Sequence, residues 1–280
     1  MIRLALRCRA SEAETVLADL LEIAPGGVEE VSDPDGIVGV VEYAVYGARG
    51  ELPDVGPLEA RAGEALVEVT SREVPDDWAE RWKRFYFPVL VAGKLYVRPP
   101  WERPAERGGV REVVIDPGGA FGTGTHPTTR MCLELMLELG SGRSRSFCDL
   151  GCGSGVLAIA AAKLGFGPVI GIDADRAAIA ESERNARANF VELELRHADL
   201  RNETAPLADV VVANLTLGLL ERVAQSWRAA GARPGTAIVS GLLREEADRA
   251  GSALAGAGLM ERRRLVSGDW AALMATSPSE

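Results

Sequence analysis

The rhythm of hydrophobic and polar positions changes near the middle of the chain. The opening segment, MIRLALRCR, alternates apolar and polar residues as a half-buried strand does. Ser11 stands three residues before Glu14, a capping-box spacing. It predicts a helix with Val16, Leu17, Leu20 and Leu21 on one side, ending near Pro25-Gly26. GVEEV and GIVGVVEYAVY read as strands joined by the turn signal SDPDG. PLEARAG predicts a short helix and EALVEVTSREV a further strand. The order β-α-β-β-α-β predicts a small ferredoxin-like α+β domain over residues 1–72.

Residues 73–110 read as a linker helix and a connection. Trp78, Trp82 and Phe85 recur at helical spacing in DDWAERWKRFYFPV. The plain reading is a helix pinned to a neighbouring core, with a substrate contact as the alternative. KLYVRPPWERPAERGGVREVVIDPGG is rich in Pro, Gly and Arg between strand-like runs, and reads as the way into a second domain. That domain spans 111–280. From Phe147 onward apolar strands alternate with amphipathic helices: FCDL, VLAIAAAKLG, PVIGID, ADRAAIAESERNARAN and so on. Such alternation predicts α/β architecture with a doubly wound, mostly parallel sheet. LMERRRLVSGDWAALMAT closes the chain as two strands about Gly268-Asp269.

Composition narrows the class. Apolar residues make up 47% but aromatics only 5%, so the core must be mostly aliphatic. A net charge of -10 disfavours nucleic acid as the main partner and suits a basic protein. Cys8, Cys132, Cys148 and Cys152 form no C-x-x-C pair, and with two histidines no metal site is expected. The thiols read as buried residues of a reduced cytoplasm. The N-terminus turns acidic too early for a signal peptide, and no apolar run is long enough for a membrane span.

The chemistry concentrates in CDLGCGSGVLAIAA. Glycines after a buried strand and before a helix let a ligand approach the main chain. The helix N-terminus offers N–H groups to an anion. Gly151 and Gly153 lie in this loop. Asp149, two residues before the first glycine, can hold the loop or face an ammonium. Asp173 ends the next strand, about twenty residues on, where a carboxylate can bind both hydroxyls of a ribose. Asp199 follows the third strand and can reach the ring end of a nucleoside, or can be an ordinary acidic turn residue. Asn214 ends the fourth strand at the edge where open α/β sheets bind ligands. Gly153, Gly155 and Ala158 also fit a loose dinucleotide fingerprint, which keeps a nicotinamide oxidoreductase as a rival.

The set Asp-x-Gly-x-Gly-x-Gly, then Asp173, then Asp199, resembles the S-adenosylmethionine site of the seven-stranded methyltransferases. DPGGAFGTGTHPTT, DLGCGSGVLAIAAAKLG, GID, ARAN and VVVANL together resemble the ribosomal protein methyltransferase A family, over about Asp76 to Leu243. The resemblance implies S-adenosyl-L-methionine as cofactor. It implies methylation of α-amino and lysine ε-amino groups of the eleventh large-subunit ribosomal protein. The chain is expected to be a cytoplasmic monomer. Residues 1–72 would recognise the substrate. By position, the family's cofactor contacts fall on Thr129, Gly151, Asp173 and Asn214. FGTGTHPTT, with Phe121, Gly122 and Thr123, would be the lid and wall of the cofactor site. Asn214 would be the catalytic residue, accepting a hydrogen bond from the attacking amine. Related amine-modifying enzymes often follow this Asn with Pro-Pro and an aromatic; here Leu215-Thr216 follows. His126 can act as a general base or make a hydrogen bond within the lid. The alternatives are a methyltransferase of another protein or small molecule, and a non-catalytic cofactor-binding protein that docks on ribosomal components.

Overall fold

The computed structural model describes residues 2–13, 15–17, 20, 28–32, 34–47, 52, 65–73, 86–105, 108–117 and 124–278. The chain divides into two compact units, Met1–Phe85 and Tyr86–Glu280.

In the first unit β1 (Ile2–Arg9), β2 (Glu29–Ser32), β3 (Val40–Gly47) and β4 (Leu66–Glu73) form a sheet ordered β2-β3-β1-β4. Every neighbouring pair is antiparallel. This is the strand order of a ferredoxin-like sheet. The alternation in β1 sends Leu4, Leu6 and Cys8 to one face, where they share a buried cluster with Val16 and Leu20 of the helical residues that follow. On the other face the guanidinium of Arg3 donates to Glu42 and Glu29. Arg7 donates to Glu42 at 2.7 Å and to Glu68 at 3.2 Å, and it pairs with Asp35. Ser11 does not cap a helix. It lies inside a 3-10 turn, Ala10–Glu12, whose preceding residue is Arg9. The helices expected at PLEARAG and around Trp78, Trp82 and Phe85 lie outside the described residues.

In the second unit β5 (Val89–Val91), β6 (Leu95–Arg98) and β7 (Arg111–Val114) make a three-stranded sheet. Residues 86–110, read from sequence as a connection, thus carry two strands of this unit. Val91, Leu95, Val97 and Val113 are buried in its core, although Pro, Gly and Arg surround them in sequence. The principal sheet uses β8 (Phe147–Leu150), β9 (Val169–Asp173), β10 (Glu194–His197), β11 (Val210–Asn214), β12 (Thr236–Leu243), β13 (Met260–Ser267) and β14 (Trp270–Thr276). Its order is β10-β9-β8-β11-β12-β14-β13. The first five strands in that order are parallel; β14 runs antiparallel to them, and its hairpin partner β13 pairs antiparallel with β14 at the edge.

Helices α1 (Pro127–Glu138), α2 (Val156–Lys163), α3 (Arg176–Ala188), α4 (Leu217–Ala230) and α5 (Ala247–Gly256) cover this sheet. One buried cluster joins α1, α2 and Ala186 of α3 to Phe147, Val210 and Val212. A second joins α4 and α5 to Cys148, Leu150, Val211 and Ala213. Neighbouring residues of β8 and β11 therefore point into different cores. A strand buried on both faces needs apolar residues at consecutive positions, which is why FCDL and VVVAN read as runs.

Candidate active site

The parallel register sets the site. Leu150 of β8 pairs with Ile172 of β9 and with Ala213 of β11. The next residues, Asp173, Gly151 and Asn214, emerge side by side at the C-terminal edge of three adjacent strands. Chain order reverses between β8 and β11, the crevice where open α/β sheets bind ligands. The Ala198 N–H donates to the Asp173 carbonyl at 3.0 Å, which places Asp199 one strand further out.

The glycine loop is held from both sides. Asp149 is fully buried, and its Oδ2 accepts from the Ala158 N–H of α2 at 3.1 Å. Its Oδ1 is buried without a hydrogen-bond partner among the described residues. Burial pushes this carboxyl up to about 7; the Ala158 hydrogen bond opposes the rise and the nearby Asp173 charge adds to it. Gly151 adopts φ +74°, and a Cβ there would lie 2.6 Å from Leu215 Cδ2. The left-handed backbone disfavours any side chain here, and one would also have to displace the Leu215 methyl. The Gly153 N–H donates to Asp173 Oδ2 at 2.9 Å, and the Asp175 N–H to Asp173 Oδ1 at 2.9 Å. Each carboxylate oxygen keeps a second lone pair for a ribose hydroxyl.

Helix α3 supplies supports that the sequence reading missed. Ser182 donates to the Gly153 carbonyl at 2.8 Å, and Asn185 to the Ser154 carbonyl at 2.9 Å. The other end of the Asn185 amide accepts from the Asp116 N–H at 3.0 Å. Asn189 brackets Val114, accepting from its N–H and donating to its carbonyl. One helix face therefore fixes both the glycine loop and the strand end that leads toward residue 117. A signal was present: Ser182, Asn185 and Asn189 recur three and four residues apart, in step with the buried Ala178 and Ala186.

Across the crevice, Asn214 Nδ2 donates to Thr128 Oγ1 at 3.2 Å and to Thr129 Oγ1 at 3.4 Å. Both threonines are buried at the start of α1. Asn214 Oδ1 is buried without a hydrogen-bond partner among the described residues. His126 is the N-cap of α1; its Nδ1 lies 2.7 Å from Thr128 Oγ1 and 3.4 Å from the Thr128 N–H. Its ring meets Trp270 edge-on at 4.9 Å. Burial lowers its pKa and favours the neutral imidazole. The hydrogen bond within the segment, one of the two sequence readings of His126, is present. Gly124 presses on the wall of β6: at φ +89°, a Cβ there would lie 2.7 Å from Val97 Cγ1.

Asp199 is engaged in its own turn. Its carboxylate accepts from Arg201 N and Nε, each at 2.9 Å, and from Asn202 Nδ2 at 3.0 Å. The Arg201 contacts hold its pKa below the usual carboxylate range. His197 Nε2 contacts the Ala174 carbonyl at 2.9 Å. Phe121, Gly122 and Thr123 lie outside the described residues. No cluster of metal-ligating side chains occurs among the described residues, and no helix of them is long and apolar enough to cross a membrane.

A reversed final hairpin, a glycine loop after β8, a carboxylate after β9 and an amide after β11 define a seven-stranded S-adenosylmethionine-dependent methyltransferase. Comparisons with known proteins sharpen this. The family model for ribosomal protein L11 methyltransferase (PrmA) matches residues 57–278. A ribosomal protein L11 methyltransferase of Heliobacterium modesticaldum is 31% identical over 304 residues, covering 97% of this chain and 96% of the relative. One from Geobacter metallireducens is 38% identical over 230 residues, covering 80% and 73%. The crystal structure of a ribosomal protein L11 methylase from Lactobacillus delbrueckii subsp. bulgaricus superposes with a TM-score of 0.61 at 25% identity, covering 70% of this chain and 100% of that one. The chain belongs to the ribosomal protein L11 methyltransferase family.

Proposed function

We propose that this chain transfers methyl groups from S-adenosyl-L-methionine to amines of ribosomal protein L11, at its α-amino group and at lysine side chains. The observation that carries the chemistry is Asn214 at the C-terminal end of β11, whose Oδ1 is buried without a partner among the described residues while its amide nitrogen is committed to two threonines. A buried acceptor with no partner is costly, and an incoming N–H relieves it.

The residues present fit the cofactor. Gly151 and Gly153 leave the main chain bare, Asp173 keeps lone pairs for the ribose, and Asp149 and Thr129 flank the loop and the crevice. When bound, S-adenosylmethionine supplies a methyl group already activated on a positive sulfur. The chain must then align a neutral amine, exclude water and tolerate positive charge on nitrogen. Asn214 Oδ1 can accept one amine hydrogen, which aims the nitrogen lone pair, and its dipole favours the developing ammonium. Holding donor and acceptor together in line as a whole can supply roughly 7–11 kcal/mol of a bimolecular barrier, of which Asn214 contributes one part.

In this reading residues 1–72 select the substrate and the second unit performs the transfer. The chain is read as a cytoplasmic monomer; its four cysteines are free and buried, in keeping with a reducing compartment. Mass spectrometry of ribosomal protein L11, after incubation with the full chain and cofactor, should show additions in steps of one methyl group on amines. An unmodified L11 beside a cofactor-binding, folded protein rules the proposal out.

A further inference from the structure

The Asn214 amide has two ends of opposite polarity, and only one suits an amine. Something must decide which end faces the crevice. The deciding contacts begin at the N-cap of α1. The Thr128 backbone N–H can only donate, and it points at His126 Nδ1 from 3.4 Å. Nδ1 must therefore carry the lone pair. The Thr128 hydroxyl, 2.7 Å from the same Nδ1, must then direct its hydrogen there. That leaves Thr128 Oγ1 only lone pairs to offer at its other contact, 3.2 Å from Asn214. The group meeting those lone pairs must be the amide nitrogen, so Oδ1 is the end turned away from Thr128. With the proton on Nδ1 instead, the hydroxyl would donate toward Asn214, and the amide would present its NH2 to the amine.

We infer that His126 is a positioning residue: through Thr128 it sets the polarity of the Asn214 amide and so keeps an acceptor aimed at the substrate amine. The inference rests on the Asn214 reading above. His126 touches neither reactant in this account. The Trp270 ring, edge-on at 4.9 Å, holds the imidazole plane. The chain of contacts links residues 86 positions apart in sequence.

A double-mutant cycle on the full chain tests this, with ribosomal protein L11 as substrate and saturating cofactor. His126→Ala should lower kcat by about tenfold, the loss of one oriented hydrogen bond. KM for L11 and the cofactor Kd should stay within about twofold. His126→Asn, whose side-chain oxygen can accept near the position of Nδ1, should recover most of the rate. Thr128→Val should match His126→Ala, and Thr128→Ser should not. In the Asn214→Ala background, His126→Ala should cost nothing further, because no amide remains to be oriented. A merely structural cap would lower kcat equally in both backgrounds, and that additive result overturns the relay while leaving the Asn214 reading intact. A normal rate for Asn214→Ala overturns both. Should His126→Ala not fold, the Thr128→Val and Thr128→Ser pair carries the same cycle, and equal rates for the two overturn the relay.

Discussion

Val211, Val212 and Ala213 of the large sheet are buried against helices on both faces, whereas the N-terminal sheet buries one face and covers the other with Arg3, Arg7, Glu42 and Glu68. The contrast explains where each unit can do chemistry. A sheet covered on both faces offers a ligand only its strand ends. Asp173, Gly151 and Asn214 accordingly follow directly on apolar runs. A sheet covered by apolar residues on one face spends its polar side chains on cross-strand partners. Those partners are set by register, Arg7 opposite Glu42 on one side and Glu68 on the other.

The largest expected effect lies in the N-terminal unit and should leave the cofactor site untouched. Arg3 and Glu42 are both nearly inaccessible. Arg3 keeps Glu29 and Arg7 keeps Glu68 when Glu42 is removed, but each guanidinium loses a charge-assisted hydrogen bond worth about 1.5–3 kcal/mol, so Glu42→Ala should cost about 3–5 kcal/mol in urea unfolding of that unit. Burial raises the Glu42 carboxyl, but hydrogen bonds from Arg3 and Arg7 outweigh it and the net pKa is lowered. The contribution is therefore present above the ordinary carboxylate pKa and is lost as pH falls through the lowered value. Cofactor Kd by calorimetry should not move. A tenfold change would show that the two units are coupled.

A smaller effect belongs to the strand-end site. Asp173→Ala removes charge-assisted acceptors worth about 1.5–3 kcal/mol each, so cofactor affinity should fall by at least about tenfold. The same variant frees the Gly153 and Asp175 N–H groups, so calorimetry should be paired with a thermal melt. Unchanged affinity in a folded variant removes Asp173 from the cofactor site.

The last effect is a slope with pH and is smallest when read over a single pH unit. Asp149 has a folded pKa raised from 3.8 to about 7. Between those values the folded state binds more protons than the unfolded state, so stability falls as pH rises through the window. The slope is at most about 1.4 kcal/mol per pH unit. Asp149→Asn keeps an acceptor for Ala158 and should flatten that slope. Parallel stability curves for the two proteins between pH 4 and 7 would place the proton elsewhere.

The same contrast governs what could be read from sequence. The doubly wound sheet was legible because runs such as VVVAN and the spacing from Gly151 to Asp173 are local signals. The ferredoxin-like order was legible from alternation in MIRLALRCR and the SDPDG turn. The strands β5 and β6 were not, because three or four apolar positions among Pro, Gly and Arg look like a connection. Thr128 and Asn185 escaped notice for another reason. Their partners, Asn214 and Asp116, lie 86 and 69 residues away, and only the folded register brings them together. Asp199 shows the reverse case: its position suited a nucleoside contact, yet Arg201 and Asn202, two and three residues on, occupy its carboxylate.

Asn214 as the acceptor that aims the amine is the central claim. The measurement is the pH dependence of kcat on ribosomal protein L11 for Asn214→Asp, with Asn214→Ala as the reference. Asn214→Ala should lose roughly a hundredfold in kcat with a modest change in cofactor affinity, the scale of one preorganised polar group. Asn214→Asp keeps an acceptor but adds a negative charge that holds the amine protonated. Its rate should be low near neutrality and climb toward that of the unaltered protein as pH rises. A flat profile for Asn214→Asp, or a near-normal rate for Asn214→Ala, contradicts the account and leaves Asn214 as the cap of its strand.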